Sequence, residues 1–114
     1  MGRTTLEPKE IDISFPRGDT CPYSFTITDS QKNILDFTGS ELYFTLKESS
    51  SKQNYILQKR YTRGEITING KDGHLVLEHD DTAELKVKTQ YFYDIEIKSG
   101  DYVATLVIGH IELT

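Results

Sequence analysis

Apolar and polar residues alternate along most of this chain, the period-two signature of strands with one buried face. Ile11, Ile13 and Phe15 alternate with Asp12 and Ser14, and Tyr23, Phe25 and Ile27 with Ser24, Thr26 and Thr28. Leu42, Phe44 and Leu46 do the same against Tyr43, Thr45 and Lys47, and a longer, less regular segment follows from Tyr55 to Thr62. Ile66 and Ile68 are expected to pair with Leu75 and Leu77 across Asn69-Gly70-Lys71-Asp72-Gly73, a run rich in residues that tolerate positive φ. Tyr91, Tyr93, Ile95 and Ile97 form one face of a late strand, and Ser99-Gly100-Asp101 turns the chain into a last strand from Tyr102 to Leu113. That last strand changes parity between Leu106/Ile108 and Ile111/Leu113, which predicts a bulge at Gly109.

Helical periodicity is nearly absent. One short crossover helix is expected at Asp81–Leu85, where Asp81 and Glu84 have capping-box spacing. Seven or eight short strands separated by turns predict an all-β, antiparallel β-sandwich of immunoglobulin-like arrangement, with a small β-barrel as the alternative. Residues 1–10 are polar, include a proline, and read as a mobile N-terminal arm ahead of a single domain over residues 11–114.

The chain has 114 residues, enough for one modest core, and 36% hydrophobic residues with seven Tyr and five Phe supply it. Thirteen basic against eighteen acidic residues leave a net charge of −5, which argues against general affinity for nucleic acid or anionic membranes. Cys21 is the one cysteine, so no internal disulfide framework exists. The opening MGRTTLEPKE carries no apolar run, and Leu6 stands where a myristoylation signal needs Ser or Thr. No stretch is long and apolar enough to cross a bilayer as a helix.

Arg17-Gly18-Asp19 spells the tripeptide through which adhesive proteins engage integrins, but it lies between two strands and is followed by Thr20 and Cys21. Gly and Asp are the residues a tight connection requires, so a structural turn is expected and integrin binding is not. His74, His79 and His110 lack metal-site spacing, and neighbours such as His79-Asp80-Asp81 point to opposite sides of an extended chain. Cys21 has no histidine tied to it by a nucleophile motif, and Asp94 and Glu96 read as the solvated face of a strand rather than a catalytic pair. Lys52, Tyr55, Lys59, Arg60, Tyr61 and Arg63 interleave charge with aromatics as nucleic-acid-binding faces do, against an acidic chain. No metal, cofactor or catalytic set is expected.

In order along the chain stand an Ile-x-Ile strand, PRGDT, YSFTIT, ILDFTGSELYFTLK, GHLVLEHDDTAEL, YFYDIEI and a closing Gly-His-Ile-Glu-Leu. This ordered set, spanning Ile11 to Leu113, resembles a family of small tail-associated phage and prophage proteins that includes the N-terminal domain of the phage baseplate upper protein. The resemblance implies structural positions: Gly18, Asp19 and Thr20 in a first turn, Asp36, Thr38 and Gly39 in a "D-x-T-G" step, Tyr91, Tyr93, Asp94 and Ile95 in the late strand, and Gly109 in the closing strand. In the baseplate proteins this domain continues into helical or receptor-proximal parts, whereas this sequence stops at Thr114, either as a free-standing relative or as a fragment, so the implied role is virion-structural in general. The expected function is a non-enzymatic structural or assembly subunit of a phage or prophage tail, baseplate or neck. It would be made in the bacterial cytoplasm and carried in the virion, docking to other phage structural proteins and to copies of itself. The alternative is a recognition module binding a glycan or peptide through Tyr43, Tyr55, Tyr61 and Phe92.

Overall fold

The computed structural model describes residues 8–27, 37–51 and 53–114. The chain folds as two facing sheets with one short helix, a sandwich-like arrangement with no closed barrel among the described residues. The larger sheet contains β1 (Lys9–Glu10), β2 (Ile13–Phe15), β4 (Glu41–Lys47), β5 (Leu57–Arg60), β8 (Gln90–Ser99) and β9 (Tyr102–Leu113). Its order is β1-β9-β8-β4-β5, with β2 continuing β1 along the same edge of β9. The smaller sheet, in order β3-β7-β6, contains β3 (Cys21–Phe25), β6 (Ile66–Asn69) and β7 (Asp72–Leu77). Nine strands are thus present among the described residues where seven or eight were expected. The sheets are also not wholly antiparallel: β1 and β2 run parallel to β9, with Lys9 opposite Val107 and Phe15 opposite Leu113. A first strand laid beside a last one is a long-range pairing that alternation does not encode. Residues 1–7 of the expected arm lie outside the described residues, whereas Lys9 and Glu10 belong to β1.

Alternation places Leu42, Phe44 and Leu46 of β4 and Tyr91, Tyr93, Ile95 and Ile97 of β8 on one inward face, all buried. Against them the small sheet brings Tyr23, Phe25, Ile66, Leu75 and Leu77. Each such side chain contributes roughly 2 kcal/mol of burial. Phe44 stacks on Tyr93, with centroids 5.4 Å apart. The Tyr93 hydroxyl, at the end of a ring with no exposure, donates to the Ile11 carbonyl (2.7 Å) and lies 3.1 Å from that of Tyr23. Burial, and then the Tyr23 hydrogen bond, push the Tyr93 phenol far above its ordinary range, so it stays neutral.

The bulge sits earlier than expected. Ile95 faces Val107 and Glu96 faces Thr105, so Leu106 is the extra residue, and Leu106 and Val107 are both buried. This doubling changes the parity. Gly109 lies in regular strand and answers a different need, because a Cβ there would stand 1.8 Å from the Ile11 carbonyl oxygen and 3.0 Å from the Tyr93 ring. Its missing side chain is what lets the β1–β2 run lie against β9. The β6–β7 hairpin forms as expected, with Ile66 opposite Leu75, but Ile68 pairs with Gly73 and Leu77 pairs with Cys21 of β3.

The helix, α1, spans His79–Thr82, two residues ahead of the expected Asp81–Leu85. Its capping box uses Glu78 and Asp81 rather than Asp81 and Glu84. Asp81 is held at N3 because its carboxylate also takes the Lys59 ammonium at 2.9 Å. Lys59 points inward from edge strand β5 and is 7% exposed. An inward charge on an edge strand discourages edge pairing, and here it finds its counter-ion on α1.

Candidate docking surface

The Arg-Gly-Asp segment is a turn braced at three points. The Asp19 amide donates to the Pro16 carbonyl at 3.1 Å, and Gly18 takes φ +83°, which the turn requires. The Gly18 amide donates to the Thr82 hydroxyl (3.1 Å), and His79 Nδ1 donates to the Gly18 carbonyl (2.6 Å), so α1 grips the glycine from both sides. Arg17 Nη1 donates to the Leu85 carbonyl at 3.3 Å, and its amide donates to Thr114 at 3.1 Å. Thr20 follows, exposed. Thr38 and Gly39 are the middle of a second turn, closed from the Ser40 amide to the Phe37 carbonyl at 3.0 Å, with Gly39 at φ +80°. Asp36 lies outside the described residues.

The outward face of the small sheet is polar and internally paired. Ser24 Oγ is 2.8 Å from His74 Nδ1, and the Thr26 hydroxyl donates to Asp72 at 2.9 Å. His110 sits on the other sheet, its amide bonded to Asp12, and no group of three or more metal-ligating side chains occurs among the described residues. Burial pushes the Cys21 thiol up, leaving it less nucleophilic than an ordinary cysteine.

The outward face of the large sheet differs. Register aligns its side chains in rows across the strands: Ile108, Asp94, Thr45 and Gln58 in one, Glu96, Tyr43 and Arg60 in the next. Gln58 donates to Thr45 (3.2 Å) and accepts from Arg60 Nε (2.9 Å), and the Arg60 guanidinium lies 4.9 Å above the Tyr43 ring. Phe92 meets His110 edge to face at 6.3 Å. Asp94 corrects the expectation of a solvated strand face. Its Oδ1 is buried without a hydrogen-bond partner among the described residues, on a position flanked by Thr45 on one neighbouring strand and Ile108 on the other. Burial first, and then the Glu96 charge, raise its carboxyl to about 6, with Lys47 opposing. Among the described residues, no ion pair joins Lys47, Arg60, Asp94 and Glu96.

Of the four aromatics singled out in the sequence, Tyr43 and Phe92 lie on this face. Tyr43 and Tyr61 line one groove of about 450 Å³ with Glu41 and Lys98. Tyr61 opens a 3-10 turn (Tyr61–Arg63) beyond β5, anchored because Glu41 accepts from the Thr62 hydroxyl and amide and from the Leu42 amide. Burial opposes the charge on Glu41, but these bonds outweigh it and hold the carboxyl below its usual range. Tyr55, 53% exposed, lies in the β4–β5 connection apart from that groove. The interleaved basic segment does not form one face: Lys59 points inward to Asp81, Arg60 outward onto Tyr43, and Arg63 pairs with Glu65 at 2.7 Å, while Lys52 is outside the described residues. The residue that sequence reasoning placed but misread is Asp94, whose burial depends on which residues of β4 and β9 flank it.

Compared with known protein families and with curated proteins, the chain matches no family model and no curated protein.

Proposed function

We propose that this chain is a non-enzymatic structural or assembly subunit of a phage or prophage particle, working by protein–protein docking through the outward face of its large sheet. One observation carries the docking part: a half-buried aromatic and charged face contains a carboxylate, Asp94, one of whose oxygens is buried without a hydrogen-bond partner among the described residues. Buried polar groups almost always have partners, and an orphan on a sheet face fits a surface completed by another protein. The particle assignment rests on the ordered motif set from Ile11 to Leu113. The finer arrangement is read as immunoglobulin-like, with the first strands beside the last. Particles purified from the source strain after prophage induction, analysed by mass spectrometry, should contain this chain at stoichiometric level. Particles that assemble without it would remove the structural role.

A second reading rests on the groove shared by Tyr43 and Tyr61, which fits a module gripping a sugar ring or peptide side chain. Glycan-array binding that disappears in both Tyr43→Ala and Tyr61→Ala would favour it over assembly.

A further inference from the structure

We propose that the partner for the outward face of the large sheet is a second copy of this chain, packed face to face about a two-fold axis that runs along β4. This deepens the docking reading and rests on it, and it does not depend on whether the assembly belongs to a phage.

The argument is charge complementarity read row by row. β8 and β5 flank β4 on opposite sides, each about 4.8 Å away. A two-fold axis in the plane of the contact and parallel to β4 keeps each row and exchanges the flanking strands, so β8 of one copy lies over β5 of the other. Glu96 then faces Arg60 of the second copy, because both share the row of Tyr43. Asp94 faces Gln58, which shares the row of Thr45, so an amide N–H reaches the carboxylate oxygen that has no donor among the described residues.

On the axis, Tyr43 meets Tyr43 and Thr45 meets Thr45, pairs that suit stacking and hydroxyl contact. Glu41 and Lys47, on the same face at the two ends of β4, each meet their own copy; Glu41 is drawn back onto Thr62, and the Lys47 ammonium can turn to solvent. Sheets that pack face to face sit about 10 Å apart, and their usual crossing of roughly −30° inclines the axis to β4 by only half that angle, which leaves the central rows within side-chain reach. An unrelated partner would have no reason to match these rows, whereas a self-complementary set is what an isologous contact requires.

Sedimentation velocity and native mass spectrometry of the full chain, over roughly 1 to 200 µM to span weak and moderate interfaces, test this directly. The expected result is a monomer–dimer equilibrium. Glu96→Arg and Arg60→Glu should each weaken it by tenfold or more, and the combined charge swap should restore most of the loss. Circular dichroism melts of every variant check the fold, and Glu96→Gln is the milder substitution, expected to weaken the dimer without altering the melt. A monomer across the whole range overturns the proposal. So does a dimer indifferent to both single variants, a double variant no better than the singles, or assembly only into species larger than a dimer. A dimer that behaves as described in a chain missing from particles would retain this contact and discard the virion role.

Discussion

The two outward faces of this molecule are built from the same alternating pattern, yet they end differently. On the small sheet, Ser24 meets His74 and Thr26 meets Asp72, so neighbouring strands satisfy one another and the face is complete in water. On the large sheet, Tyr43 lies under Arg60, Phe92 against His110, and Asp94 has a buried oxygen with no hydrogen-bond partner among the described residues. Polar residues facing away from a core are therefore of two kinds. Some end in local hydrogen bonds, and others keep bonding capacity that only another molecule can use.

The difference between the faces presupposes that both sheets share one core, and the largest predicted effect removes that core. Gly109→Ala should destabilise by about 3 kcal/mol or more, because its methyl group overlaps the Ile11 carbonyl and the ring of Tyr93 has little room to move. Urea unfolding, or failure to obtain folded protein, reads this out. A stable Gly109→Ala chain would mean that β1 and β2 do not lie against β9 as described. Tyr93→Phe is next, at about 1–2 kcal/mol, since it strands the Ile11 carbonyl and unpairs Tyr23.

Asp94→Asn sharpens the contrast itself. The folded carboxyl holds its proton up to about 6, whereas an unfolded aspartate releases it near 3.9. The folded state therefore loses stability as pH rises from about 4 to 6, and the penalty is complete at pH 7. Asparagine should recover about 1 kcal/mol at pH 7, allowing for solvent screening, and nothing at pH 3. Melts of the dilute monomer at the two pH values check the sign. A loss of stability at pH 7 would mean that Asp94 has a partner within the chain. Ser24→Ala, on the completed face, is the smallest effect, within about 0.5 kcal/mol, because water replaces an exposed hydrogen bond. A loss above 1 kcal/mol there would erase the distinction between the faces.

Much of this arrangement was legible in the chain. The limits of β9 and the buried faces of β4 and β8 follow from alternation, and the Arg-Gly-Asp segment reads as a turn from its glycine and aspartate between two strands. The places where reading failed share a cause. The bulge was expected at Gly109 because glycine suits bulges, yet the chain doubles at Leu106 and Val107, where two apolar residues fill the core opposite Ile95. The helix was expected at Asp81, yet it begins at His79 because Asp81 is required by Lys59, from a strand more than twenty residues away. Tyr43, Phe92 and Asp94 were visible on outward positions, but nothing local marked the burial of an Asp94 oxygen.

Alternation, turn residues and the supply of apolar side chains determined by themselves that this chain forms strands, where most of them lie and which face of each is buried. Those are short-range properties, set by the two-residue period of an extended backbone and by the steric demands of single residues. Only the tertiary structure decided that the first strands run parallel to the last, that Gly109 yields space to Ile11, and that Asp94 is flanked by Thr45 and Ile108. Each of those outcomes depends on the register between strands distant in sequence, which the whole core fixes at once and no single segment contains.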